Sequence, residues 1–179
     1  MRVMFPLLFS AILTCACASL PKGLRFTGDA GSNISMAAMP LEEPNNDQGP
    51  EDFREALKNF EASKFQEAAD AFKKFYLNQS TSKYAWISRY YYGYSIEMLG
   101  RNEEAIEVYR EVIQATVSRG QFLRAKTLYR MSFCYERMSN DIQVVASLKD
   151  IGESVKYLPE SVRLAELFAR IAGAYARLG

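Results

Sequence analysis

Four small residues punctuate this chain at nearly even intervals. Ser63, Gly100, Ser139 and Gly179 stand 37, 39 and 40 positions apart, and the residues around them repeat. Lys64 to Phe72 (KFQEAADAF) aligns with Arg101 to Tyr109 (RNEEAIEVY), and Tyr94 to Gly100 (YSIEMLG) aligns with Phe133 to Ser139 (FCYERMS). A chain that repeats at this period must build one supersecondary unit several times, each copy covering the apolar face of the next. The unit is helical. Apolar residues recur three and four apart, as in Phe53, Leu57, Phe60; Phe65, Ala68, Phe72, Phe75; and Ala105, Ile106, Tyr109, Val112, Ile113. No segment alternates with period two for long, so the expected class is all-α.

The helical region has a sharp start. From Glu51 to Leu158 there is no proline in 108 residues. Gly49-Pro50-Glu51-Asp52 is a helix start, with proline at the first turn and acids at the positive end of the helix dipole. Seven helices are expected, at 51–62, 65–78, 82–99, 102–116, 121–138, 141–156 and 159–178. The breaks carry their own signals. Asn78 to Ser82 is polar, Gly100 is a C′ glycine before an Asn102 N-cap, and Ser118-Arg119-Gly120, Ser139-Asn140-Asp141 and Leu158-Pro159-Glu160 act similarly.

The first fifty residues read differently. Arg2 precedes an apolar run from Val3 to Leu13, then the small residues Ala16, Cys17, Ala18 and Ser19, the layout of a signal peptide over 1–18. The run is shorter than the about 20 residues a membrane span needs. Ala16-Cys17-Ala18 fits cleavage after Ala18. Leu13-Thr14-Cys15-Ala16-Cys17 resembles a relaxed bacterial lipobox, in which Cys17 is lipidated, and the flexible tail that follows favours this route. A diacylated cysteine is a stable anchor. Residues 19–50 hold four of the six prolines and read as a tether spanning roughly 30 Å. Removing Arg2 with the leader leaves 21 basic and 21 acidic residues, and 51–179 carries 19 and 17. No strong field is left to attract nucleic acid.

The repeated residues resemble a tetratricopeptide-repeat (TPR) array. The family pattern has a small residue within the first helix, Gly at the turn, a small residue five later and an aromatic four after that. Gly93, Gly100, Ala105 and Tyr109 supply all four, and Ala56, Ser63, Ala68 and Phe72 supply them with Ser for Gly. Ser132, Ser139, Val144 and Leu148 form a degenerate third set. The resemblance covers 51–179 and implies a right-handed superhelix of antiparallel helix pairs, about three and a half repeats. It also implies binding through a concave face lined by the first helix of each pair. That face would carry Phe53, Leu57 and Phe60; Tyr90, Tyr94 and Glu97; and Tyr129, Phe133 and Glu136, each set at i, i+4, i+7. The competing reading is that these aromatics are core. Some family members clamp a peptide carboxylate with basic and amide side chains. Lys126 and Arg130 occupy the third-repeat positions, but Phe53, Leu57 and Tyr91 replace the others, so the clamp is mostly missing and a solvated basic pair is expected.

With leader and tether, the chain is similar to bacterial envelope lipoproteins carrying such repeats, of the outer-membrane assembly, periplasmic coordinator and pilotin kinds. The implied role is a non-catalytic adaptor binding another envelope protein or peptide, on the periplasmic side of a membrane, with outer membrane favoured. Enzyme readings fare badly. With no histidine there is no Ser-His-Asp triad and no His-ligated metal. Glu103/Glu107 and Glu107/Glu111 read as solvated charge. Cys134, between Phe133 and Tyr135, reads as a small core residue. No cofactor or metal is expected. The last helix is unusual. Glu160, Arg163, Glu166, Arg170 and Arg177 share a narrow stripe, and apolar residues including Leu164, Phe168, Ile171, Ala172 and Tyr175 cover the rest. A capping helix should present a broad polar face. This flank is expected to meet another subunit or a partner, or chain beyond Gly179. The alternative role is therefore a self-assembling spacer, a homo-oligomer joined through 159–179.

Overall fold

The computed structural model describes residues 49–116, 120–158, 162 and 164–179. The leader, Cys17 and the tether up to residue 48 lie outside them. Seven α-helices and no strand occur among the described residues. They are α1 (Glu51–Glu61), α2 (Phe65–Asn78), α3 (Ala85–Met98), α4 (Asn102–Thr116), α5 (Gln121–Arg137), α6 (Asp141–Ile151) and α7 (Leu164–Leu178). All lie in one unit.

The helix starts follow the sequence closely except at α3, which begins at Ala85 rather than 82, and at α7, which begins at Leu164 rather than 159, with Val162 in a bend before it. Ser82 is held in a turn, its hydroxyl accepting from the Tyr84 amide at 3.2 Å and its carbonyl from the Ala85 amide at 3.0 Å. Asn102 is the first residue of α4 instead of its cap, because the carbonyl of Arg101 already accepts from Ala105. Asn140 does cap α6, its side chain accepting from the Gln143 amide at 3.3 Å. The helix expected over 141–156 ends at Ile151. Gly152 turns the chain at φ 49, ψ −130, and Gly152–Tyr157 continues as a 3₁₀ helix. Residues 159–161 and 163 of the expected last helix lie outside the described residues.

The turns repeat in backbone detail. Ser63, Gly100 and Ser139 all have positive φ, at 58, 79 and 55. Behind each, the next residue's amide reaches back five positions: Lys64 to Asn59 at 2.9 Å, Arg101 to Ile96 at 3.1 Å, Asn140 to Tyr135 at 2.9 Å. This satisfies the last carbonyls of α1, α3 and α5 by one device used three times.

Each helix packs chiefly on its neighbours in the chain, and α3 also meets α5. Small residues set the approach. A Cβ on Gly93 would lie 2.8 Å from Tyr109 Cε1 and 3.1 Å from Val108 Cγ1, so α3 and α4 approach as closely as only glycine permits. Ala56, Ala68 and Ala105 are fully buried, and so are the large partners Phe72 and Tyr109. The aromatics form one core. Phe53 packs on Phe72, Phe75, Tyr84 and Tyr91, with ring centroids 5.2 to 6.4 Å apart, and Phe72 stacks on Tyr91 at 5.3 Å.

Candidate interaction surface

The aromatic stripe expected to line an open groove is mostly interior. Phe53, Phe60, Tyr90, Tyr94, Glu97 and Tyr129 are all buried, while Leu57, Phe133 and Glu136 are half-buried. The reason is local. Phe60 sits edge-on against Tyr94 at 4.8 Å and Tyr91 at 5.4 Å, closing α1 over α3. Tyr90 packs between Tyr91, Tyr94 and Tyr109. The stripe joins successive repeats to one another, so these six side chains are not open for docking.

Its centre is a buried carboxylate. Glu97, 2 % exposed, accepts from Arg130 Nε at 3.0 Å, Arg130 Nη2 at 2.5 Å, Arg137 Nη1 at 2.8 Å and the Tyr109 hydroxyl at 2.8 Å. Four donors on two oxygens satisfy a charge that would otherwise be costly to bury. Arg130 is itself buried, and its guanidinium lies 3.8 Å from the Tyr94 ring centroid. Burial is the largest single influence and works against its charge, but the Glu97 carboxylate together with Tyr109, Tyr94 and Tyr90 outweighs it, and its pKa rises. Lys126 is buried too, with its ammonium 3.7 Å from the Phe122 centroid. The solvated basic pair expected at 126 and 130 is thus corrected. Both heads find ring faces, and Arg130 also finds a carboxylate.

The arrangement recurs one repeat on. Glu136 accepts from Arg170 at 2.8 Å and lies 3.8 Å from Arg177, and Arg170 covers the Phe133 ring at 3.9 Å. Each member has its counterpart 39 or 40 residues earlier: Phe133 for Tyr94, Glu136 for Glu97, Arg170 for Arg130, Arg177 for Arg137. The repeat alignment already pairs Tyr94 with Phe133 and Glu97 with Glu136. The two arginines that meet each carboxylate come from two helices further on, α5 for Glu97 and α7 for Glu136. The recurrence of Arg at 130 and 170 and at 137 and 177 was the signal that could have found them.

Cys134 is fully buried, and burial pushes its thiol pKa up to about 12, far from a nucleophile's range. Glu103, Glu107 and Glu111 are exposed along α4, with Glu107 paired to Arg110 and Glu111 to Arg89. A groove of about 230 Å³ between α1 and α2, lined by Asp52, Glu55, Asn59 and Lys74, is smaller than the usual small-molecule site.

An open apolar surface lies on α7. Leu164, Phe168 and Tyr175 are 52, 60 and 49 % exposed, and Ala165, Ala169, Ala172 and Ala176 are exposed beside them. The charges of α7 between 164 and 179 point elsewhere. Glu166 accepts from the Tyr129 hydroxyl at 2.8 Å, Arg170 reaches Glu136, and Arg177 holds Asp141 at 2.6 Å. Ile171, expected on the same flank as Phe168, instead packs half-buried against the core. Among the described residues no helix is long and apolar enough to cross a membrane. No protein-family model matches the sequence, and no curated protein matches it.

Proposed function

We propose that this chain is a non-catalytic, protein-binding scaffold of the TPR kind in the bacterial envelope, and that it docks through the exposed face of α7. The observation that carries this reading is the apolar face itself. Phe168 and Leu164 stand in solvent beside exposed alanines, Tyr175 at the edge of the face accepts from Lys149 of α6 at 2.8 Å, and the charges of α7 are spent on intramolecular pairs. Contiguous apolar patches of this kind mark interaction sites. The repeat reading is supported by the thrice-used turn and by the Gly93–Tyr109 approach. The handed superhelix of about three and a half repeats, the leader and the lipid on Cys17 rest on the sequence. Metabolic palmitate labelling of the wild type, lost in Cys17→Ser, tests the anchor.

Photo-crosslinking tests the docking site. A photoreactive residue at Phe168 is expected to yield a discrete protein adduct in the envelope. The same residue at Trp86, exposed on α3, is expected to yield none. An adduct at Trp86 with none at Phe168 would move the site off α7.

A further inference from the structure

α7 is held unlike the helices before it. Ten residues of α3 and eleven of α5 are buried, against Leu167 and Ala174 alone on α7. Beyond these and the half-buried Ile171, what holds α7 is polar. Glu166 accepts from the Tyr129 hydroxyl, Arg170 donates to Glu136, Arg177 donates to Asp141, and Lys149 donates to the Tyr175 hydroxyl. The ion pairs among them are open to water. The Glu136 side chain is 38 % exposed where that of its counterpart Glu97 is buried, and Arg177 is 50 % exposed. Arg170 meets its carboxylate through Nη2, and its Nη1 is buried without a partner, whereas Arg130 uses both Nε and Nη2. The helix is also weak in itself. Gly173 sits inside it, and a Cβ there would meet only the tip of Arg177 at 3.6 Å, so no close approach requires a glycine.

We propose that α7 is a salt-releasable latch, docked on α5 and α6 at low ionic strength and detached from them at high. Its consequence rests on the docking reading above: the face carrying Leu164 and Phe168 exists only while the latch is closed. Partly exposed ion pairs are screened as the Debye length falls from about 30 Å at ~0.01 M salt to about 3 Å at ~1 M. The Glu97–Arg130 pair is buried and escapes this screening, so α5 stays closed on α3. Release need not disturb the other helices, because the chain is pinned just ahead of α7. Phe122 packs edge-on against Tyr157 at 6.3 Å, Leu158 is buried, and Arg124 donates to the Asp150 carbonyl at 3.1 Å. Once free, α7 is a helix of 15 residues, about the length at which an isolated helix is marginal in water. The apolar face then disperses with the helix, and docking becomes sensitive to ionic strength.

The test is hydrogen–deuterium exchange of the full chain, read by mass spectrometry on peptides from α5 and α7. Raising salt from about 0.01 M to about 1 M should speed exchange in α7 about tenfold and leave α5 unchanged, which separates release from global unfolding. Glu136→Gln removes the charge that Arg170 and Arg177 share. It should speed α7 exchange at low salt by a similar factor and shrink the salt response. Gly173→Ala should slow α7 exchange about threefold at either salt. Exchange in α7 that stays as slow as in α5 at both salts, or that speeds only together with α5, overturns the latch. The Phe168 photo-adduct keeps the two readings apart. An α7 released by salt, with no adduct at low salt, refutes docking through α7 and leaves the latch standing. An α7 closed at both salts, with an adduct at Phe168, refutes the latch and leaves docking standing.

Discussion

Arg130 grips Glu97 with two parallel bonds, from Nε at 3.0 Å and Nη2 at 2.5 Å, across the junction between α5 and α3. Both side chains are almost wholly excluded from water. The pair sets the register of one repeat on the next, because a bidentate fork tolerates little sliding.

Cutting one partner should be expensive. Glu97→Gln leaves Arg130 buried without its carboxylate and should lower unfolding free energy by about 3–5 kcal/mol. Glu97→Leu combined with Arg130→Met should recover part of that, since an apolar pair removes both charges' desolvation costs but leaves the buried Tyr109 hydroxyl without its acceptor. Urea unfolding of Glu97→Leu, Arg130→Met and the double measures the coupling. Additive losses would deny the pair its role.

Two glycines in helices should respond in opposite directions. Gly93→Ala drives a methyl into the Tyr109 ring and should cost about 1–3 kcal/mol. Gly173→Ala on α7 meets only the tip of Arg177 at 3.6 Å and should stabilise by about 0.5–1 kcal/mol. Thermal melts of both variants decide it.

The turns invite a matching exchange. Ser63 and Ser139 hold the left-handed backbone that Gly100 holds without a Cβ. Ser139→Gly should raise stability by about 1 kcal/mol, and Gly100→Ala should lower it by a similar amount. Equal melting temperatures for Ser139→Gly and the parent would contradict the strain assigned to that turn.

Burial of the tyrosines predicts a steep alkaline limit. It raises Tyr91 to about 12, does the same for Tyr92 with help from its bond to Glu104, and raises Tyr90 and Tyr109 further above the ordinary value of 10. Between pH 10 and 12 the unfolded chain releases phenolic protons that the folded chain keeps. The stability present below pH 10 is therefore lost as pH rises. Phenolate absorbance should climb together with the loss of helical circular dichroism. Early ionisation of these tyrosines in an intact fold would count against their burial.

What was legible in the sequence follows from what spacing encodes. The i, i+4, i+7 pattern identified the helices, and the small–large pairs Gly93/Tyr109 and Ala56/Phe72 identified how they approach. Spacing places Tyr90 and Tyr94 on one helical stripe and Tyr129 and Phe133 on another, but does not say whether either faces water. Tyrosine suits either setting, because its ring packs and its hydroxyl bonds. Arg130 and Glu97 were each visible, but 33 residues separate them and no local pattern joins them. Phe168 and Ile171 were grouped as one flank, yet a separation of three residues straddles the boundary between the open face and the core.

The central claim is that the face of α7, and not the buried aromatic stripe, is where this chain meets its partner. Hydroxyl-radical footprinting of the full chain, in the bacterial envelope and as a dilute purified protein, tests it most directly. Phe168 and Tyr175 should be protected in the envelope and labelled when dilute, with Trp86 and Leu77 labelled in both. Equal labelling of Phe168 in the two states, with protection appearing at Trp86 and Leu77, would contradict it.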